Sequence, residues 1–164
     1  MRTISSILVA ALLLSASANA QENSEAGTNW LVNCSNQMMQ NQLRCDVSQN
    51  IVRQQTSQLV GVMRIFRAEE SDVLEVVVPF GVNILDGVTI SVDGTELATL
   101  PFQTATSTGL FTSVELSDDV LNAFKSGQSA MASVKNSFGQ RLDIEFVLAG
   151  FSTAFGLYER TMAQ

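Results

Sequence analysis

Histidine is absent from this 164-residue chain, and its absence decides most of the chemistry open to the other side chains. Ser-His-Asp and Cys-His nucleophile systems need an imidazole to take up the proton, and the usual zinc and non-haem iron sites need one as a ligand. None of these can be assembled. A phosphate-cradling loop needs glycines that open a helix and a following Lys-Ser/Thr pair, but Phe80-Gly81 and Asp86-Gly87 stand between strand-like runs with neither. Carboxylates remain. Hydrolysis of a sugar polymer uses two acids a fixed short distance apart in a cleft, and Asp86, Asp93, Glu96 and Glu115 are the residues that could form such a pair. Asp86 and Asp93 each precede glycine, however, where the backbone demand of a tight turn accounts for them without any reaction. No catalytic residue, cofactor or metal is therefore expected.

Cys34 and Cys45 are the only cysteines. Their spacing is not Cys-x-x-Cys, and two thiols without histidine fall short of the four ligands zinc usually takes. In a chain bound for an oxidising compartment they are expected to form a disulfide. The ten residues between them can turn and return. Pairing across adjacent strands would stabilise the fold by roughly 2–3 kcal/mol in the chain-entropy picture.

The export signal is in residues 1–20. Arg2 supplies the charged start, residues 4–14 the short apolar stretch, and Ala18-Asn19-Ala20 the small-x-small pattern that places the cut after Ala20. The stretch is too short to span a bilayer, and no other is long enough. Localisation in the periplasm, or secretion to the cell surface, is expected. The formal charge is −7, and loss of Arg2 leaves eight basic against sixteen acidic residues, or −8. That sign repels phosphates, so nucleic acid and anionic lipid are poor partners. Residues 21–28, polar and Gly-containing, are expected to be a flexible mature start. Residues 29–164 form one domain of ordinary size.

The elements that must position any surface site are mainly strands. The central stretch, residues 73–102, has apolar runs at 74–78 and 88–92 and an Asp93-Gly94 turn that folds the second run back along residues 96–100. Asp-Gly between β-prone runs signals a type I′ hairpin, because both central residues need positive φ. This stretch is expected to lie mid-sheet, interrupted at Pro79-Phe80-Gly81 and Asp86-Gly87, where the chain must bend or cross to another layer. Strands are also predicted at 30–34, 43–49, 58–68, 110–116, 130–135 and 140–148. The strand at 58–68 is apolar on both faces and so is expected to be covered on both. Leu142, Ile144, Phe146 and Leu148 alternate as the dry side of a sheet with one wet face. Ser117 has N-cap chemistry, Asp118 and Asp119 favour a helix start, and Lys125 and Gly127 close one short internal helix. Phe151, Phe155 and Tyr158 fall at helical spacing and mark a short C-terminal helix. Trp30, beside Cys34, reads as a core residue against the bridge. Residues 101–109 form a hydroxyl-rich loop. Two surfaces could meet a partner: the loop residues Gln103, Thr104, Thr106, Ser107 and Thr108, and the aromatic tail of Phe151, Phe155 and Tyr158. The plainer readings are a solvated turn for the first and a lid on the domain's own core for the second.

In order and spacing these features resemble the invasion associated locus B family of bacterial secreted proteins. The residues that carry the resemblance begin with Trp30 and Cys34, Val78-Pro79-Phe80-Gly81-Val82, Asp86-Gly87-Val88 and Val92-Asp93-Gly94. Pro101-Phe102-Gln103-Thr104, the Thr108-Gly109 step, Phe124-Lys125-Ser126-Gly127 and Leu148-Ala149-Gly150-Phe151 complete the set. The resemblance implies an antiparallel, sandwich-like β domain in the periplasm or at the surface of a Gram-negative bacterium. In some host-associated bacteria the family is implicated in entry into red blood cells. Relatives commonly carry a second cysteine pair, and here the matching positions are Ala105 and Leu110, which implies a lost bridge and a more mobile loop. The family has no agreed active site to carry over. The expected function is thus non-enzymatic binding or accessory work, with an envelope or host-surface protein or glycan as partner. A carboxylate-dependent envelope hydrolase and a structural subunit joined through a sheet edge are the alternatives.

Overall fold

The computed structural model describes residues 29–37 and 42–163. The export signal, its cut after Ala20, the mature start at 21–28 and the middle of the turn between the cysteines lie outside the described residues. In chain order the elements are β1 (Leu31–Gln37), β2 (Gln42–Arg53), β3 (Gln58–Ala68), β4 (Ser71–Val78), β5 (Val88–Val92) and β6 (Thr95–Leu100). They continue with β7 (Thr104–Thr106), β8 (Gly109–Glu115), α1 (Asp118–Ser126), β9 (Ser129–Lys135), β10 (Arg141–Val147) and α2 (Phe151–Met162). Six strands form one sheet in the order β1-β2-β3-β4-β8-β7, and four form the other in the order β10-β9-β5-β6. All the pairings are antiparallel. The fold is the mainly-β, two-sheet body with two helices that the alternation implies.

The core lies between the sheets. Val47, Met63, Ile65, Leu74, Val76 and Val78 from the larger sheet face Val88, Ile90, Ala130, Ala132, Ile144 and Phe146 from the smaller, all buried. The sheets approach closely at Gly61, where an added Cβ would stand 2.9 Å from an Ile144 methyl. The larger sheet is wider by two strands, and α2 packs against β1 and β2. A six-on-four sandwich leaves an apolar overhang, and burying it under an amphipathic helix removes that surface from water. Phe151, Ala154, Phe155 and Tyr158, spaced i, i+3, i+4, i+7, supply the buried stripe.

Cross-sheet ties finish this side. The Gln49 side chain forms two bonds with Val147 of β10, its Nε2 donating to the carbonyl and its Oε1 accepting from the amide, both at 2.9 Å. Trp30 Nε1 donates to the same carbonyl at 2.9 Å. An amide side chain here does what a neighbouring strand would do, pairing main-chain groups at the end of the edge strand β10.

Three expectations need correction. The stretch 73–102 is not mid-sheet throughout: β4 is interior to the larger sheet and β5 to the smaller, with residues 79–87 crossing between the layers at the expected interruptions, but β6 is an edge because no further strand pairs beyond it. The outer face of β3 is half-buried rather than covered by a layer, with the Arg64 guanidinium 5.1 Å over the Phe66 ring. Leu142 is exposed, because it lies beyond the reach of the opposing sheet. Trp30 is a core residue, buried in the same cluster as Cys45, and its ring meets Phe151 edge-on at 4.9 Å.

Local chemistry behaves as the residue types dictate. Asp93 and Gly94 have φ of 48° and 83°, the two positive values a type I′ turn demands. Ser117 Oγ caps α1 by accepting from the Val120 amide. Gly127 ends α1 with φ −80°, so positive φ is not its purpose. A Cβ there would lie 2.4 Å from a Val92 methyl, which makes close approach to the hairpin the constraint.

Candidate functional site

Residues 103–108 are not an open loop. Thr104, Ala105 and Thr106 form β7, paired with Phe111, Leu110 and Gly109 of β8, and β7 is the edge of the larger sheet. A hydroxyl-rich segment after proline resembles a loop locally. It becomes strand because β8 offers a free edge. Gln103 fixes the entry: its amide donates to Phe111 O, its Nε2 donates to Ser113 O, and its Oε1 accepts from Ser113 Oγ. Thr112 Oγ1 donates to Pro101 O at 2.8 Å. The tip turns on a Thr108 amide that donates to Thr106 Oγ1. Thr104, Thr106, Ser107 and Thr108 are exposed, so hydroxyls and one strand edge face solvent together. Such an edge can add an extended peptide by main-chain pairing or present hydroxyls to a glycan.

The aromatic tail is core rather than partner surface. Phe151, Phe155 and Tyr158 are fully buried. They continue a row of rings from Trp30 and Phe124 through Phe151 to Phe155 and Tyr158, with centroids 4.9–5.6 Å apart. The helical spacing that marked them as a stripe was correct. Which side the stripe faces was decided by the overhang of the larger sheet. Lys125 Nζ sits 4.9 Å over the Phe155 ring, and Ser152 Oγ donates to Lys125 O, so α1 closes over the start of α2.

The acids considered for sugar chemistry come from the 79–87 crossover, the β5–β6 turn, β6 and β8. Asp93 accepts from the Gln128 and Ser129 amides and thereby ties the β5–β6 turn to the start of β9. Asp86 accepts from Asn83 Nδ2 and faces Lys135 at 3.9 Å. Glu96 accepts from Thr99 Oγ1, and Glu115 ends β8 in the other sheet. Each acid near a turn thus has a structural partner. Among the described residues no group of three or more Cys, Asp or Glu is arranged to hold a metal ion.

Two surface hollows join residues distant in sequence. One, of about 810 Å³, is bordered by Leu43, Arg44, Arg64, Phe66, Arg67 and Met162. Much of its positive charge is compensated, since Arg64 pairs with Glu75 and Arg67 with Asp72. Behind it Tyr158 Oη donates to Asp72 Oδ1 at 2.6 Å. Burial, and next the bond to the Asp72 carboxylate, push the Tyr158 hydroxyl above the ordinary phenol range. The other hollow, about 260 Å³ on the outer side of the smaller sheet, is bordered by Asp86, Thr89, Thr99, Ser133, Lys135 and Arg141. Ser133 donates to Asp143, and Arg141 bridges both. The Ser133 bond and then the Arg141 bond hold the Asp143 carboxyl below its usual range. Sequence reading missed both hollows, because their residues share neither a motif nor a period.

The disulfide stands where the spacing places it. Cys34 and Cys45 are directly opposed in the β1–β2 register and bonded, with Cα atoms 4.0 Å apart. Ala105 and Leu110 are likewise opposed across β7–β8, the geometry the matching positions of a second bridge require. Among the described residues no helix is long and apolar enough to cross a membrane.

Comparison with known proteins accords with this geometry. No curated protein matches the chain. Its fold is similar to the crystal structure of invasion associated protein b from Bartonella henselae, with a TM-score of 0.74 and 19% sequence identity over 83% of this chain and 94% of that one. The model of the invasion associated locus B (IalB) protein family matches residues 30–158, from the tryptophan that locks β1 to the tyrosine that anchors α2, and the chain belongs to that family.

Proposed function

We propose that this protein is a non-enzymatic binding or accessory protein that works outside the cytoplasm, in the periplasm or at the cell surface, and engages an envelope or host-surface protein or glycan through the β7 edge. The observation that carries this reading is the exposed Thr104–Thr106 strand with its hydroxyl-bearing turn, held in shape from behind by Gln103 and Ser113. An exposed edge with unpaired main-chain groups suits recognition: main-chain groups supply affinity and flanking side chains supply selectivity. The disulfide fits an oxidising compartment. Invasion, the process for which the similar Bartonella henselae protein is named, is one setting for such contact. In a bacterium without a host the same edge would serve its own envelope.

Photo-crosslinking from Thr104 or Thr106 in intact cells tests the reading, with Glu145 on the opposite sheet as the control position. A discrete adduct from β7 that the control lacks is the expected result. The same ladder of products from both positions would remove the β7 edge as a site. An envelope hydrolase is excluded or revived by assay on cell-wall fragments. Turnover that vanishes on Asp86→Asn or Glu96→Gln would replace the binding reading.

A further inference from the structure

Four large apolar side chains stand exposed at one end of the molecule: Phe80 (59%), Ile84 (59%), Leu85 (93%) and Phe138 (86%). They come from the 79–87 crossover and the β9–β10 turn. Val82 and Asn136 form an isolated antiparallel bridge between these segments, reinforced by the Asn83 amide donating to Lys135 O at 2.7 Å. That register brings Phe80 level with Phe138, while Ile84 and Leu85 follow on the turn that leads into β5. Single exposed apolar residues are ordinary, but four on two joined turns are a concentration that soluble surfaces seldom keep without a use.

We propose that this tip is a membrane-contact site that inserts into the interface of a zwitterionic phospholipid bilayer. Three observations select lipid over a second protein. First, Leu85 and Phe138 are 93% and 86% exposed on their turns, and side chains that protrude so far enter an acyl-chain layer without a groove built to match them. Second, much of the polar backbone of these turns is already satisfied internally, as burial in hydrocarbon requires. Asn83 Oδ1 accepts from the Leu85 amide, Asn136 Oδ1 accepts from the Phe138 and Gln140 amides, and Asn136 O accepts from the Gly139 amide. The two asparagines are held in turn, Asn83 Nδ2 donating to Asp86 and Asn136 Nδ2 to Gln140 Oε1. Third, directly behind the tip lie Lys135 opposite Asp86 and Arg141 bonded to Asp143, a collar carrying equal numbers of both signs. Such a collar complements headgroups that carry both signs. The acidic body, −7 in formal charge, works against anionic lipid, so net-neutral headgroups are the chemistry recognised.

The test uses the exported form of the chain and extruded phosphatidylcholine vesicles. Wild type should partition onto them at least tenfold more strongly than the Leu85→Ser/Phe138→Ser variant, and replacing a third of the lipid with phosphatidylglycerol should weaken binding. Both substituted positions are exposed, so unchanged far-UV circular dichroism is expected and confirms that the variant is folded. A second variant, Phe138→Trp, reports position directly, because the native Trp30 is buried and contributes a constant background. Its emission should shift to the blue with vesicles and be quenched by brominated acyl chains. Equal partition of wild type and the serine variant overturns the proposal, as does emission of the Phe138→Trp variant that stays unmoved at millimolar lipid. Concentration-dependent self-association lost in the serine variant, without vesicle binding, also overturns it and assigns the patch to a second copy. None of these readouts depends on the β7 edge, so this site and the proposed binding edge stand or fall separately.

Discussion

The two edges of the six-stranded sheet are built alike and held differently. Each edge strand pairs with its neighbour through a directly opposed couple, Cys34 with Cys45 and Ala105 with Leu110. Only the first couple is covalently linked. The β7–β8 hairpin has side-chain ties around it: Gln103 to Ser113 in both directions and Thr112 to Pro101. On β1, Leu31, Asn33 and Ser35 are exposed, and the side-chain bonds from Asn33 are long, at 3.4–3.5 Å. Trp30 locks its beginning, and beyond that the disulfide is the main tie. A cross-link that restricts the unfolded chain contributes most where the folded strand makes few side-chain contacts of its own.

The largest expected effect breaks the β1 side at its anchor. Trp30→Ala removes the ring packed on Phe151 and the bond to Val147 O, and should cost about 3–5 kcal/mol in denaturant unfolding. Next comes the Cys34→Ser/Cys45→Ser pair, expected to cost about 2–3 kcal/mol, against about 1 kcal/mol for Gln103→Ala on the other edge. Equal losses from the two would dissolve the contrast. Installing the missing bridge sharpens it. Ala105→Cys/Leu110→Cys should oxidise without free thiol and raise stability by under about 2 kcal/mol, because the closed loop is short and Leu110 gives up some packing. In wild type the amides of residues 104–109 should exchange faster than those of β4, and in the bridged variant they should slow.

The smallest effect concerns α2, the helix that covers β1 and β2. Tyr158→Phe should cost about 1 kcal/mol, since Arg67 continues to satisfy Asp72 after the hydroxyl is lost. Its sharper signature is in pH. The folded hydroxyl keeps its proton above the ordinary phenol value, so the unfolded chain ionises first. The associated stability is complete below about pH 10 and declines as pH rises beyond it. The phenylalanine variant should lack that decline in a titration of unfolding midpoints.

Legibility in the sequence followed the range of the interactions. The Asp93-Gly94 turn, the Ser117 cap and the Phe151-Phe155-Tyr158 stripe were readable because each is settled within a few residues by backbone sterics, a local hydrogen bond or a period. β7 was not, because Thr104–Thr106 is strand only by virtue of its pairing with β8. The apolar tip escaped for the same reason. Phe80 and Phe138 are far apart in sequence, and the Val82–Asn136 bridge makes them neighbours.

Taken alone, the sequence determined the mainly-β class, the two helices, the pairing of the only two cysteines and the lack of any imidazole chemistry, since these follow from residue type and local spacing. The tertiary structure decided which apolar residues became core and which remained surface. Leu85, Phe138 and Leu142 are as hydrophobic as Phe151 and Phe155, yet only the latter two meet an opposing layer. Burial depends on what the other sheet reaches, and that is a property of the whole assembly of strands.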